Sequence, residues 1–286
     1  MKTITMISLV LTFTGCMSWN RGWTVPRFEA ALPHHVTMQE ADTYFEQADS
    51  KEKLLHAISL YEAIDPGIDA LKRLDRLAEA YILMGAAYAQ SREEKRDAYH
   101  LGIQFAEQAL WLNPEFRTAM ASGNDWDVAV QNLNMPHMTS MLLWVTGVSY
   151  LYKECLSGLG HVWHFRWVEQ SRSMLDRMAQ LDPYFEYGAV LFSQAIFDIA
   201  LPKSAGGDLQ RASERMDAAV AASQGSLLIR WGSAKYLHVR TQNREAMITD
   251  LNWVVAQDPK AAPSPYPWNV YFQRDAKQML AKLDPL

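Results

Sequence analysis

The chain has little cysteine and no surplus of basic residues. Its 286 residues include 2 Cys, 27 Lys and Arg, and 32 Asp and Glu, for a formal net charge of -5. This charge and the lack of basic clusters do not favour contact with a phosphate backbone, so we expect no nucleic-acid partner. With 49% hydrophobic and 21% charged residues, the composition is that of an ordinary globular protein.

Recognisable catalytic motifs are also missing. The sequence contains no P-loop, dinucleotide-binding fingerprint, nucleophile elbow or zinc-protease helix. His161 and His164 lie three residues apart with Glu154 nearby, but intervening glycines weaken a continuous helix there. We therefore interpret both histidines as surface or packing residues and not as metal ligands. The sequence predicts no catalytic residue, no metal and no cofactor.

The first residues have the layout of a secretory signal. Lys2 supplies a positive charge, and the apolar run 4–13 that follows is too short to span a bilayer. Gly15 directly before Cys16 resembles a bacterial lipobox. We expect residues 1–15 to be a lipoprotein signal peptide and Cys16 to be the lipidated first residue of the mature chain. The alternative is a cleaved soluble protein in which this cysteine is incidental.

The residue after Cys16 bears on the membrane to which the anchor would hold the protein. Met17 stands where an aspartate would signal retention in the inner membrane. This favours a periplasmic protein in the inner leaflet of the outer membrane, held by several acyl chains because one chain alone binds only marginally. Residues 16–36 are expected to be the lipidated N-terminus and a tether.

The second cysteine is expected to be structural. With Cys16 acylated, Cys155 has no intramolecular partner for a disulfide. It lies in the apolar helical run 151–156, which favours a buried, inert thiol over a reactive one.

Helical hairpins recur through the rest of the chain. Tyr81, Met84, Gly85 and Tyr88 match the first-helix signature of a tetratricopeptide repeat, with large residues, a glycine and an aromatic at the expected spacing. Small and large residues alternate correspondingly in the second helix of this repeat, at Gly102, Ala106, Ala109, Leu110 and Pro114. Further helices are expected at Thr37–Asp49, Lys51–Ile64, from Met141 onward, at Arg166–Leu181, Phe185–Ala200, 209–222, and around Leu228–Gly232 and Met247–Val255.

These helices predict an all-α fold of about four to five degenerate tetratricopeptide-like hairpin repeats, stacked as an α-solenoid over residues 37–286. The repeat pattern lapses at about 115–139, which we interpret as an insertion with at most a short helix at Trp126–Leu133. Three prolines after Asp258-Pro259 then lead to a closing helix, Trp268–Leu283. This helix is expected to cap the apolar face of the last repeat.

A glycine-rich loop joins the two amphipathic helices expected at Phe185–Ala200 and 209–222. Pro202 ends the first helix of this hairpin, and the loop carries Gly206, Gly207 and Asp208. Asp208 is the predicted N-cap of the next helix, because its carboxylate can accept hydrogen bonds from the free amides of the first turn.

These motifs together resemble the TRAP transporter T-component family. The resemblance rests on the lipobox, the irregular repeats and five segments: Leu143-Trp144, Asp182-Pro183-Tyr184-Phe185, Leu201-Pro202, Gly206-Gly207-Asp208 and Asp258-Pro259. It covers nearly all of the mature chain. One departure follows Tyr187-Gly188, where a second glycine, a proline and a histidine would be expected but the chain has Ala189-Val190-Leu191.

The resemblance implies an accessory lipoprotein of a tripartite ATP-independent periplasmic (TRAP) transport system, with no chemistry of its own. Its expected partners are the extracytoplasmic solute-binding subunit, the membrane through the lipid anchor, and further copies of itself in a homotrimer. In superhelical repeats, first-helix positions line an inner groove. Here such a groove would bind a partner or a small hydrophobic or organic-acid ligand through Ile82, Gln90, Trp144, Tyr152, Phe197 and Tyr236.

Other interpretations stay open at this stage. The same aromatic residues fit core or oligomer packing. The whole chain also fits a scaffold lipoprotein that assembles cell-envelope machinery without any solute. A third reading is an enzyme acting on envelope polymers, which would need an acidic site in the insertion, where Asp125 and Asp127 flank Trp126.

Overall fold

The computed structural model describes residues 36–283, and within this range it contains helices and turns but no β-strand. The all-α prediction is confirmed. The signal peptide, Cys16 and nearly all of the tether lie outside the described residues. No helix in the described range is long and apolar enough to cross a membrane.

The α-helices are α1 (Met38–Phe45), α2 (Lys51–Ala63), α3 (Ala70–Ala87), α4 (Arg92–Trp111), α5 (Pro114–Ala121), α6 (Trp126–Val130), α7 (Met138–Tyr150), α8 (Gly158–Trp163), α9 (Phe165–Leu181), α10 (Phe185–Ala200), α11 (Leu209–Ala222), α12 (Leu227–Gly232), α13 (Val239–Thr241), α14 (Arg244–Ala256) and α15 (Tyr266–Leu283).

Two of these helices continue into π-helical segments. The first π segment, Leu151–Cys155, extends α7, and the second, Ser233–His238, joins α12 to α13. Wide turns of this kind occur mostly as short insertions in α-helices and are frequent at functional sites. The periodicity of the sequence predicted ordinary helix at both places.

Side-chain caps fix where several helices begin. Thr37 Oγ1 accepts a hydrogen bond from the Glu40 N–H at 3.2 Å, so α1 starts at the predicted place. Ser91 and Glu94 form a full capping box at the start of α4, in which the Ser91 hydroxyl and the Glu94 carboxylate each accept a hydrogen bond from the other residue's backbone N–H. Such caps satisfy amides that have no partner within the helix.

The predicted insertion is more helical than the sequence indicated. Pro114 follows the end of α4, as expected, but it also occupies the first turn of α5, where its missing N–H costs nothing. Asn113 caps this helix, with its Oδ1 accepting a hydrogen bond from the Phe116 N–H at 2.8 Å. The prediction of at most one short helix in this segment was therefore wrong, since α5 precedes the short helix α6.

The expected hairpins form, with α3 against α4, α7 against α9, α10 against α11, and α12 against α14. Each hairpin also contacts the next, as α4 does α7. Ile82 of α3 shows why small residues are needed between them: a Cβ added at Gly102 would lie 2.6 Å from Ile82 Cγ1, and one at Gly147 would lie 3.3 Å from Ile82 Cδ1. The two glycines leave space for the Ile82 side chain between α4 and α7.

The closing helix α15 joins the two ends of the described chain. As predicted, it covers α12 and α14. In addition, its Phe272 and Tyr271 belong to one hydrophobic cluster with Phe45 of α1 and Tyr61 of α2. Arg274 donates a hydrogen bond to the Ala87 carbonyl at 2.7 Å, and its guanidinium lies 4.9 Å from the centre of the Tyr88 ring. The capping prediction was incomplete, because α15 also contacts the end of α3 and shares a hydrophobic cluster with α1 and α2.

The short helix α8 leaves apolar side chains in solvent. Leu159 and Val162 are each 71% exposed and Trp163 is 69% exposed, the highest values among the exposed large apolar side chains of the described residues. None of the residues of α8 is buried. Apolar side chains that are exposed next to one another, as on α8, form an apolar patch, unlike single apolar residues scattered over a protein surface.

Candidate functional site

Two of the six predicted groove residues lie in the hydrophobic core. Ile82 and Trp144 are both 0% exposed. The Trp144 indole packs against Trp126 with ring centres 4.9 Å apart, and its N–H donates to a Glu107 carboxylate oxygen at 3.2 Å. Neither side chain lines an open groove, because both are enclosed by neighbouring helices.

Three more of the predicted residues are partly or fully exposed. Gln90 is exposed in the turn between α3 and α4, where its backbone N–H donates to Glu94. Phe197 on α10 is partly buried against the core. Tyr152 is held by His161: the Tyr152 hydroxyl donates to the His161 carbonyl at 2.8 Å, and the His161 Nε2 lies 2.9 Å from the Tyr152 carbonyl. Phe197 and Tyr152 nevertheless pack against the same hydrophobic cluster that contains Ile82 and Trp144.

The sixth residue, Tyr236, belongs to a set of aromatic side chains that sequence reasoning missed as a group. We call this set the aromatic cluster. Its members come from five different segments and contact one another in succession. Tyr99 stacks on Tyr150 at 5.4 Å, the side chains of Tyr150 and Tyr271 are hydrogen-bonded, and the Trp231 ring lies 5.7 Å from Tyr271 and 5.9 Å from Tyr236. The aromatic cluster consists of Tyr99, Tyr150, Trp231, Tyr236 and Tyr271.

Charged side chains connect the two ends of the aromatic cluster. Lys153 donates a hydrogen bond to the Tyr236 hydroxyl at 3.1 Å, and its ammonium lies 4.8 Å from the centre of that ring. The next residue, Glu154, accepts a hydrogen bond from the Tyr99 hydroxyl at 3.0 Å. Because Lys153 and Glu154 are adjacent in the sequence, they link Tyr236 to Tyr99. Together with the aromatic contacts, these hydrogen bonds form a closed ring.

Both carboxylates beside the cluster already have cationic partners. Glu154 pairs with Lys95 at 2.8 Å, and Asp275 pairs with Lys235 at 2.8 Å. Asp275 also accepts a hydrogen bond from the Trp231 indole at 2.7 Å. Within residues 36–283, Lys153 forms no ion pair, and its polar contact is the neutral Tyr236 hydroxyl.

The ionisation of these groups reflects their surroundings. Burial lowers the pKa of Lys153, even though its side chain is exposed to solvent. Burial likewise raises the pKa of Tyr236 to about 12 and raises the pKa of Tyr99 and Tyr271.

The two π segments supply polar side chains beside the aromatic cluster. Lys153 and Glu154 lie on the first, and Lys235 and Tyr236 lie on the second. A π turn inserts an extra residue and so changes the direction of the side chains that follow it. Nothing in the hydrophobic periodicity indicates such a turn, which explains why the sequence pointed to Tyr236 but not to its neighbours.

The loop Gly206-Gly207-Asp208 forms a tightly built joint between α10 and α11. Gly206 has φ +89°, in the region that favours glycine. At Gly207 an added Cβ would lie only 1.8 Å from the Leu201 carbonyl oxygen, so no side chain fits. Asp208 caps α11 as predicted, accepting hydrogen bonds from the Gln210 and Arg211 N–H groups at 3.0 and 3.1 Å.

A buried carboxylate on α10 stabilises this joint. Asp198 of α10 is 4% exposed, and it accepts hydrogen bonds from Arg211 Nε at 3.0 Å and from Arg215 at 2.6 Å. Its backbone carbonyl also accepts a hydrogen bond from the Asp208 N–H at 3.0 Å. These contacts account for the loop residues by structure alone, without a ligand.

Residues 73–286 match the model of the TRAP transporter T-component family. The chain belongs to this family. No match was found among curated proteins. Membership makes the protein an accessory component of a TRAP transporter with an extracytoplasmic role, in a family that is not known for enzymes.

The T-component match begins within α3 and so leaves α1 and α2 outside it. It includes the whole aromatic cluster, Lys153 and the loop at 206–208. The helices that the T-component match omits are nevertheless part of the same hydrophobic cluster as α15. The first hairpin is therefore built into the core of this T-component.

The point where this T-component departs from the expected family sequence has an unusual backbone. Glu186, Tyr187 and Gly188 have φ values of +48°, +60° and +89°, which interrupt the start of α10 with a left-handed turn. Such conformations are costly for residues other than glycine and persist where the surroundings enforce them. Position 188 also leaves little room for a side chain, since an added Cβ would lie 3.1 Å from the Ala219 carbonyl oxygen.

The remaining chemical candidates in this T-component do not converge. Glu154 is engaged by Lys95 and Tyr99, while His164 stacks on Trp167 at 4.1 Å. Within the described residues, no group of three His, Cys, Asp or Glu side chains is arranged to hold a metal ion. Asp125 and Asp127 are both exposed at the start of α6.

The prediction of a buried thiol is confirmed. Cys155 is 0% exposed, and burial raises the pKa of its thiol to about 11. A thiol with so high a pKa is almost entirely protonated at neutral pH and is a poor nucleophile.

A shallow groove of about 630 Å³ lies elsewhere, between α1 and the start of α3. It is lined by polar residues that include Asp42 and Lys72, which pair with each other at 2.6 Å. This groove lies on residues outside the family match and contains none of the six predicted groove residues. The aromatic cluster remains the better candidate because its contacts are specific and it lies within the matched region.

Proposed function

We propose that this T-component is a non-enzymatic accessory lipoprotein that binds the extracytoplasmic solute-binding subunit of its TRAP transporter and accepts a small ligand. Family membership is the observation that carries the proposal. The contact of Lys153 with Tyr236 supports the ligand, since it combines an aromatic side chain with polar groups that have capacity for further hydrogen bonds.

The architecture belongs to the same proposal. The described hairpins are tetratricopeptide-like repeats in a solenoid that occupies residues 37–286, with α15 as its closing helix. Support comes from the order of packing, in which α4 lies on α7, α9 on α10, and α11 on α12. Repeat proteins of this kind present their concave surfaces to partners.

Anchoring and self-association complete the proposal. Cys16 becomes lipidated after removal of residues 1–15 and, with a tether to residue 36, holds the protein at the periplasmic face of the outer membrane as a homotrimer. A Cys16→Ala variant should stay unprocessed and fail to incorporate labelled fatty acid. The mass of the chain 18–286 in solution should be three times that of one copy, and a monomer would contradict the trimer.

Binding to the solute-binding subunit is the decisive test. The chain 18–286 and the purified solute-binding subunit of the same TRAP system are mixed and followed by calorimetry and by mass in solution. We expect a saturable complex, and no complex with a solute-binding protein from an unrelated transporter. Absence of a complex, or recovery of envelope-assembly proteins alone from a periplasmic extract, would favour the scaffold interpretation instead.

A further inference from the structure

We infer that the short helix α8 rests on the surface of a phospholipid bilayer through its exposed apolar side chains. These are Leu159 and Val162, each 71% exposed, and Trp163, which is 69% exposed. Val162 and Trp163 follow Leu159 by three and four residues, so the side chains share one side of the helix, which we call the outer face of α8. The inference goes beyond the proposed function, because it assigns a membrane contact that does not involve the lipid on Cys16.

The orientation of α8 is the reverse of that of an ordinary surface helix, which buries its apolar residues and exposes its polar ones. The polar His161 faces the protein, since its Nε2 lies 2.9 Å from the Tyr152 carbonyl oxygen and its own carbonyl accepts a hydrogen bond from the Tyr152 hydroxyl at 2.8 Å. The two rings also lie 4.7 Å apart. These contacts hold α8 with Leu159 and Val162 turned to solvent, and apolar surface exposed in this way marks a contact with a protein or a membrane.

The outer face of α8 is too small to be a stable protein interface by itself. A buried aromatic side chain covers about 150–250 Å². Leu and Val are smaller, so the three side chains together supply less than the ~800 Å² that each partner of a stable complex contributes. A bilayer sets no such minimum, because binding grows with the apolar area inserted, and tryptophan is enriched at the boundary between membrane and water. The size and composition of the face therefore favour lipid.

The charges around α8 complement anionic phospholipids. Residues 155–168 contain no Asp or Glu, in a chain whose formal net charge is -5. Arg166 is exposed just after α8, and Arg92 of α4 donates a hydrogen bond to the Cys155 carbonyl at 2.8 Å, shortly before α8 begins. Within residues 36–283 neither arginine is paired with a carboxylate. Each basic side chain near an anionic membrane surface strengthens the attraction to it.

The proposed anchor at Cys16 is compatible with α8 at the membrane wherever α8 lies on the protein. A chain as long as residues 16–36 spans at most about 70 Å. A compact domain of the described length has a radius of gyration of about 18 Å, so the tether reaches past the body of the protein. The anchor alone would leave the orientation of the body open. The contact through α8 would fix which side of the T-component faces the bilayer.

The test measures binding of the chain 18–286, which lacks Cys16, to lipid vesicles. One set of vesicles contains equimolar phosphatidylcholine and phosphatidylglycerol, and the other contains phosphatidylcholine alone. Flotation at millimolar lipid gives the bound fraction, and brominated lipid quenches the fluorescence of any tryptophan that enters the bilayer. We expect binding that is stronger to the anionic vesicles. Trp163→Phe should bind nearly as well and show less quenching, because the face stays apolar while its tryptophan is lost.

Variants assign the binding to the outer face of α8. The double variant Leu159→Ser/Val162→Ser should bind vesicles at least about tenfold more weakly, because two inserted apolar side chains are lost. Its matched control is Val128→Ser/Val239→Ser, which changes valines that are 55% and 54% exposed on α6 and α13 and should bind like the unchanged protein. Arg166→Gln should weaken binding to the anionic vesicles about fivefold and leave binding to phosphatidylcholine unchanged.

Equal vesicle binding by Leu159→Ser/Val162→Ser and the unchanged protein would overturn the inference, as would no binding at millimolar lipid. The mass in solution and the complex with the solute-binding subunit are measured on the same preparations. If the double variant loses its oligomer or this complex while the unchanged protein ignores vesicles, the outer face of α8 is a protein contact and the inference is wrong. If vesicle binding follows the expectation and the complex is absent, the membrane contact stands and the proposed partner is wrong.

Discussion

Asp75 lies on α3 with 8% of its surface exposed, and one of its carboxylate oxygens accepts a hydrogen bond from the Ser140 hydroxyl at 2.6 Å. Burial raises the pKa of Asp75 to about 7, against the lowering effects of the Ser140 hydrogen bond and Arg76 and with a further increase from Glu79. The unfolded chain has the ordinary value, so between about pH 4 and pH 7 the folded protein holds the extra proton. The stability contributed by this residue is complete at low pH and is lost as the pH rises through 7.

Replacement of Asp75 by Asn should remove this dependence. We expect Asp75→Asn and the unchanged protein to be equally stable near pH 4, and the variant to be more stable by about 1 to 4 kcal/mol at pH 8. Urea unfolding at several pH values measures the difference. Asp217→Asn, at an exposed position on α11, is the control and should follow the unchanged protein throughout. Parallel profiles for Asp75→Asn and the unchanged protein would contradict the prediction.

Single residues were also where the sequence was hardest to interpret. Repeat numbering placed Ile82 and Trp144 on an inner surface, yet Ile82 fills the space that Gly102 and Gly147 leave between helices. Asp75 resembles any surface carboxylate until its neighbour Ser140, far along the chain, is known. Burial depends on which helices meet, and that information is absent from local spacing.

Among the structural elements, the joint between α10 and α11 gives the sharpest expectation. Gly207→Ala would place a Cβ 1.8 Å from the Leu201 carbonyl oxygen, so the backbone must move. We expect a loss of about 3 kcal/mol in the free energy of unfolding, measured by thermal or urea denaturation. Gly158→Ala at the start of α8, where an added Cβ meets no atom within 4 Å, should change stability little. Similar values for the two variants would contradict the proposed close contact.

The elements themselves were largely predictable. The hairpin helices α2, α4, α9, α10 and α11 follow from apolar spacing and from caps such as Asp208, because these signals are local. The helix α5 was missed since Pro114 marks either the end of one helix or the start of another. The two π segments could not be recognised from the hydrophobic periodicity. The contact between Lys153 and Tyr236 depends on these segments, so it could not be predicted from the sequence.

For the whole molecule, the contacts of α15 couple the first hairpin to the last. Phe272 is 3% exposed and shares its hydrophobic cluster with α1, α2 and α3. We expect Phe272→Ala to cost about 3 to 5 kcal/mol and to increase amide hydrogen exchange in α1–α3 as well as in α12 and α14. Hydrogen exchange followed by mass spectrometry locates the effect.

Phe116→Ala provides the comparison at this scale. Phe116 is also fully buried, but it belongs to a different cluster, with α5, α6 and α7. Its removal should increase exchange first around those helices. If Phe272→Ala left exchange in α1–α3 unchanged, the two ends of the chain would be packed together without being energetically coupled.

The position of α15 along the chain also affects the order in which the parts of this protein can fold. It follows all the other described helices, yet it shares a hydrophobic cluster with the first three. When the chain emerges with its N-terminus first, that cluster stays incomplete until the residues from Tyr266 onward have been made. The first hairpins therefore cannot complete their packing until the last helix has been synthesised. Folding has to wait for contacts between distant segments, which is the situation in which a chain folds slowly and benefits from being kept unfolded during transit.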